Sequence, residues 1–172
     1  TIIKSGLLNT LPLLAVVFGN LAGGQLSDWV LRRTGSRALS RQGVSIASLL
    51  LCAGLTLSAL WAADATLAVV IISAGGFCPG LAAPSGSAIP MDMGGEHVAA
   101  VNGVMNMCGN FGAMLFPLVV PWLLDRTGSW NAVLVSFGCL YFAATLCWWF
   151  LKPNGSVFDQ SLLRTKPRQS TP

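Results

Sequence analysis

Charge is what this sequence has least of. Only 9% of its 172 residues are Asp, Glu, Lys or Arg, against about a quarter in a soluble globular domain. That scarcity argues against a water-soluble fold. There is one histidine, His97, and no glycine-rich phosphate loop. No nucleophile is paired with a base, so an enzyme is not expected. The five cysteines are odd in number, fit no metal spacing, and each lies in an apolar run. They read as small packing residues, with no disulfide, no metal and no cofactor expected. The net charge of +4 sits in short links and the tail, not on a face interleaved with aromatics, so no nucleic-acid partner is expected. The start, Thr1-Ile2-Ile3-Lys4, carries neither an initiator methionine nor a signal-peptide pattern, which suggests a piece of a longer chain.

What is abundant is apolar sequence: 53% of residues are hydrophobic and the mean hydropathy is +0.67. Five apolar runs stand out, at about 7–24, 43–63, 66–91, 98–122 and 130–151. Each is near the ~20 residues that cross a bilayer as a helix. The expected fold is therefore all-α, a polytopic membrane helix bundle over 1–151, embedded in the lipid bilayer. A polar tail at 152–172 is expected to be disordered. Gly19 and Gly23 have the small-xxx-small spacing that permits close helix contact. The pair Gly23-Gly24 is expected to end the first helix, with Asp28 placed to start a short one. In the third run Gly75, Gly76, Pro79, Gly80, Pro84, Gly86 and Pro90 predict a kinked or locally unwound helix.

Orientation follows from the basic residues. Arg32, Arg33, Arg37, Arg41, Lys152, Arg164, Lys166 and Arg168 fall on one side, and only Lys4 and Arg126 on the other. The richer side, with the C-terminus, is expected to be cytoplasmic. All six tryptophans lie at or just beyond run ends, as in an aromatic belt. The basic link itself has two readings: a solvated turn that only sets orientation, or an element of a conformational change.

The runs are of two kinds. Every proline within a run, from Pro12 to Pro121, lies in the first, third or fourth, and the mid-run asparagines lie in the first and fourth. The second and fifth runs have neither. Three bending helices around something polar, braced by two plain ones, is a transporter-like division. Asn102, Asn106 and Asn110 recur every four residues and form a stripe on one side of the fourth helix. Asn102 and Asn110 read as helix-packing amides; Asn106 reads equally as packing or as a substrate contact. Ser85 and Ser87 could bond their own backbone instead of a ligand. No ionisable residue lies deep in any run, whereas a proton-coupled pump needs one in its path. Asp92, Glu96 and His97 read as a solvated link.

The segment Gly24-Gln25-Leu26-Ser27-Asp28, followed by Arg32-Arg33-Thr34-Gly35, resembles the loop signature of the major facilitator superfamily. More narrowly, Ser5-Gly6-Leu7-Leu8 with Leu11-Pro12, and Asn102-Gly103 with Asn106, Gly109-Asn110 and Pro117 ahead of Thr127-Gly128-Ser129-Trp130, resemble the anion:cation symporter family. That family includes hexuronate, galactonate and glucarate transporters, sialin and the vesicular glutamate transporters. The resemblance reaches to about Leu151. It implies that the five runs are helices eight to twelve of twelve, the C-terminal half lacking its first helix. It implies Asn106 and Ser85 as substrate contacts, and Gly24, Asp28, Arg32 and Arg33 as the conformational loop motif. Gly86 stands where many bacterial relatives carry Trp. The implied activity is transport of an organic anion, a sugar acid or carboxylate, coupled to H+ or Na+, with the N-terminal half of the same transporter as partner. The implied location is a bacterial inner (plasma) membrane. The rivals are a transporter of neutral solutes and a non-transporting membrane fragment.

Overall fold

A computed structural model describes residues 2–151, without the side chains of residues 2–5, 7–9 and 65. The tail expected at 152–172, with its four basic residues, lies outside the described residues. The chain forms five long helices: α1 (Ile2–Thr34), α2 (Val44–Ser58), α3 (Ala65–Met93), α4 (Val98–Thr127) and α5 (Trp130–Phe150). A π-helical turn, Ala38–Gly43, leads into α2, and single 3-10 turns at Ala59–Trp61 and Gly95–His97 close two of the links. Five helical stretches are long and apolar enough to cross a membrane. The chain is an all-α, multi-pass membrane bundle, as its hydropathy predicts.

The tightest seam joins α1 to α3. A Cβ on Gly19 would strike the Phe77 carbonyl and come within 3.1 Å of the Gly80 Cα. A Cβ on Gly23 would strike the Leu81 backbone, and one on Gly80 would meet the Val16 carbonyl at 2.6 Å. In lipid, where no hydrophobic drive pushes helices together, such backbone proximity is what packing energy rests on. The expected close contact through Gly19 and Gly23 is therefore present. The expected helix end at Gly23-Gly24 is not: α1 continues for another ten residues, because Gly23 is spent on approach to α3 and not on a turn. The helix stops instead at Gly35, whose φ of 64° suits a left-handed cap and whose N–H bonds the Leu31 carbonyl at 2.8 Å. Asp28, Arg32 and Arg33 thus lie inside the last turns of α1, and Asp28 starts no helix.

Helix α3 is likewise unbroken through Pro79, Pro84 and Pro90. The prolines leave carbonyls without their usual partners, yet the neighbouring α1 and α2 hold the segment helical. On its other side α3 packs on α2, with Cys52, Ala53, Cys78 and Ala82 buried. Helix α5 closes on α2, where Gly138 receives the Leu57 side chain. Helix α4 is different. None of its residues is buried; it touches α3 and α5 lightly, with the Phe116 ring 5.3 Å from that of Phe137 of α5. Arg33 stacks over Trp29 near the end of α1, and Arg126 over Trp122 near the end of α4. The up-and-down path puts these two pairs at opposite ends of the bundle.

Candidate functional site

Polar groups gather at the end of the bundle where α1 and α3 finish and the π-turn begins. Three hydroxyls, all fully buried, form its floor: Ser27 of α1, Ser40 of the turn and Ser85 of α3. Ser27 Oγ donates to the Ser40 carbonyl at 3.1 Å, Ser40 Oγ donates to the Ser27 carbonyl at 2.6 Å, and Ser85 Oγ reaches Ser27 Oγ at 3.4 Å. Small hydroxyl side chains allow this approach and satisfy each other where water is excluded.

Arg41 lies over that floor. Its Nη1 donates to Ser27 Oγ at 2.9 Å, and its Nε meets Asp92 Oδ2, at the end of α3, at 3.2 Å. Its Nη1 also lies 3.8 Å from Asp28 Oδ1. The Arg41 side chain keeps 14% of its surface and Asp92 22%, but Asp28 keeps 65%. The Arg41–Asp92 contact is therefore the stronger, a charge-assisted hydrogen bond out of bulk water. The longer, wetter Asp28 contact is worth little by itself. One guanidinium thus ties α1, the π-turn and α3 together by bonds that a rigid-body movement could break and remake.

The sequence-predicted residues take different places. Asp28 joins the cluster. A Cβ on Gly24 would meet nothing within 4 Å, Arg33 lies on Trp29, and Arg32 is exposed without an ion-pair partner among the described residues. Ser85 is fully buried on Ser27. Asn106 is exposed on α4, where Asn110 Nδ2 donates to its Oδ1 at 2.8 Å and to its carbonyl at 2.9 Å. Ser85 stands eight residues before the end of α3 and Asn106 eight after the start of α4, each about 12 Å along its helix from the shared link. They share a depth, but no hydrogen bond joins them. Asn102 and Asn110 are exposed and touch no other helix through a hydrogen bond among the described residues.

Sequence reasoning passed over Arg41, Asp92, Ser27 and Ser40 as site residues, and took Asp92 for a solvated link. A signal was present. Two crossings separate the α1–α2 link from the α3–α4 link, so both lie on one side, and the acids of one could be matched to the arginines of the other. At the far end a cleft of about 480 Å³ opens between Gly75, Gly76, Phe116, Trp130, Phe137 and Tyr141, among others, and no charged residue lines it.

A profile of the Major Facilitator Superfamily matches residues 2–170. The chain belongs to the major facilitator superfamily. Among curated proteins it is 32% identical over 151 residues to a probable sulfoacetate transporter, SauU, of Cupriavidus necator, covering 86% of this chain and 34% of that protein. It is 30% identical over 151 residues to a probable galactarate/D-glucarate transporter, GarP, of Escherichia coli, covering 88% and 34%. It is 27% identical over 149 residues to a probable L-galactonate transporter of Escherichia coli, covering 86% and 33%. The chain spans about a third of the length of these relatives. No solved structure matches at a significant level. In this major facilitator chain Asp28, Arg32 and Arg33 lie in the last turns of α1, and Asp28 sits beside Arg41 of the π-turn.

Proposed function

We propose that this chain is part of the C-terminal bundle, helices eight to twelve, of an ion-coupled transporter of organic anions. The observation that carries the reading is the likeness, across five spans, to proteins named as transporters of sulfoacetate, galactarate, glucarate and galactonate. Each of those compounds is a small organic acid. The anion:cation symporter family is the narrower placement, on the motifs around Pro12, Asn106 and Pro117. The N-terminal half of the same transporter would face α4 and α1 and complete the cavity, and rocking of two bundles about a central site would move the solute. In that cycle the Asp28–Arg41–Asp92 cluster is the cytoplasmic contact that opens and closes. Asn106 is the substrate contact offered by α4, its amide oriented by Asn110. Ser85 at the same depth serves the cluster through Ser27 instead. The coupling ion is H+ or Na+, its acidic site supplied by the rest of the protein. The membrane is a bacterial inner membrane, with the C-terminus in the cytoplasm.

Uptake of labelled glucarate, galactonate and a neutral hexose into proteoliposomes holding the complete protein tests this. Saturable uptake of an acid, abolished by collapsing the ion gradient, is the expected result. Uptake of the hexose alone would establish the rival, a neutral-solute transporter. The 172-residue chain by itself should show no gradient-driven uptake, since five helices cannot enclose the cavity. For topology, single cysteines at Ser36 and Gly128 should label from opposite faces, Ser36 from the cytoplasm. Labelling of both from one face would refute the five-span arrangement.

A further inference from the structure

Gln42 takes no part in the ionic cluster, yet it makes the only side-chain hydrogen bonds between the π-turn and α5 among the described residues. Its Nε2 donates to the carbonyls of Trp148 and Trp149, 2.9 Å each. Those carbonyls belong to the last turn of α5, where the final acceptors lack the regular helical donors four residues on. The last turn carries no basic residue, and the chain leaves it in an extended conformation at Leu151. One neutral amide therefore reaches two helix-end carbonyls: that of Trp149, and that of Trp148, which also accepts the Leu151 N–H at 3.3 Å.

Its neighbours give this a further meaning. Ser40, Arg41 and Gln42 are consecutive, and between them they reach three helices: Ser40 to α1, Arg41 to α1 and α3, Gln42 to α5. A π-helical turn is rare and holds its register only where the surroundings fix it. Relaxed to ordinary α-helix, the segment would rotate its side chains about the axis and swing Arg41 away from Asp92. Ser40 and Ser27 pin the turn on its inner side. On its outer side the pin is Gln42, set against α5, which is itself locked to α2 where Gly138 takes in Leu57.

We propose that Gln42 is a positioning residue: by anchoring the π-turn to the end of α5, it holds Arg41 in the register from which one guanidinium reaches Ser27, Asp28 and Asp92. The link between this cluster and transport rests on the reading above; the positioning itself does not. The chemistry at 42 must be that of a donor facing the negative end of a helix. Lysine keeps a donor and adds a favourable charge, leucine removes the donor, and glutamate sets a carboxylate against two carbonyls.

The test is a double-mutant cycle in the complete protein, purified in lipid nanodiscs, with thermal melting read at low and high NaCl. Gln42→Leu should lower the midpoint by about 3 °C, and adding Arg41→Met should then cost little more, because Arg41 is already displaced. Gln42→Leu should also lose the salt dependence that Arg41→Met loses. Gln42→Lys should restore both, and Gln42→Glu should do worse than leucine. Full additivity of Gln42→Leu and Arg41→Met, with salt dependence kept in Gln42→Leu, would overturn the proposal and leave Gln42 a plain helix-end anchor. Uptake by the same variants is read separately: a coupled cycle with unchanged uptake would sustain the positioning and remove the cluster from the transport cycle.

Discussion

The α1–α3 seam and helix α4 are built from the same materials and end in opposite states. Both are rich in glycine, proline and asparagine, and both pass for bending helices in the sequence. In the seam the glycines are filled by a neighbour's backbone: Gly19 against Phe77, Gly23 against Leu81, Gly80 against Val16. On α4 a Cβ at Gly103, Gly109 or Gly112 would meet nothing within 4 Å. The small residues of α4 are therefore cleared ground, while those of α1 and α3 are already occupied. The difference teaches that a glycine's role is decided by its partner and not by its spacing.

The sharpest test of this contrast is Gly23→Leu. Its side chain would have to displace the Leu81 backbone, which cannot yield as a flexible side chain can. Overpacking of a core costs about 1–3 kcal/mol even where side chains move, so no monodisperse folded protein should be recovered. Recovery of a well-behaved Gly23→Leu protein would break the comparison at its tight end. Arg41→Met comes next. It strands Asp92, and loss of a hydrogen bond to a charged group costs about 2 kcal/mol. Melting of Arg41→Met, Asp92→Leu and the double variant should show the double recovering much of that loss.

Smaller effects are expected on α4. Asn106→Ala should weaken substrate binding about tenfold, roughly 1.4 kcal/mol, with the melting midpoint unchanged because the side chain is exposed. Asn110→Ala should weaken it about threefold, since Asn110 only orients its neighbour's amide. If Asn106→Ala binds normally but melts early, the stripe packs helices and the site lies elsewhere. Least of all, Gly109→Ala should be neutral or stabilise by up to about 1 kcal/mol through helix propensity. Marked destabilisation in the complete protein would show that another segment fills the cleared ground, and would move α4 into the same class as the seam.

Much of the architecture was legible in the residues because hydropathy dominates in lipid. Five runs, their order and their number emerged from the pattern of apolar length, and the loop motif pointed to the superfamily that the profile match shows. Helix ends were less legible. Gly23-Gly24 permits either a turn or an approach, and only the presence of Leu81 opposite decides for approach. Asp28 and Arg32 look like a link because they are charged, yet a helix continues past the apolar boundary into the polar region for nearly three more turns, to Thr34. The prolines of α3 predict a kink or local unwinding, and the segment stays helical past all three. Within the candidate site, Asp28 was legible as part of a motif. Arg41 was hidden among four similar arginines, and its partner Asp92 lies 51 residues away. Gln42 could not be singled out at all, since nothing near it in sequence announces the end of α5.

The two stacked pairs, Arg33 on Trp29 and Arg126 on Trp122, have a mechanical consequence. Each fixes the height of one helix at one leaflet, because an indole carrying a guanidinium belongs neither in hydrocarbon nor in open water. Helix α1, 33 residues and so about 50 Å long, overshoots a hydrocarbon core of about 30 Å and is registered at one leaflet by Trp29. Helix α4 is registered at the opposite leaflet by Trp122. A bilayer that thins or thickens therefore pulls these two helices past one another along their axes. The α1–α3 seam is keyed by backbone contacts and resists that sliding, whereas α4, with no residue buried, touches α3 and α5 only lightly. Membrane thickness thus acts on this protein as shear, and the shear is absorbed by α4, the helix that carries Asn106.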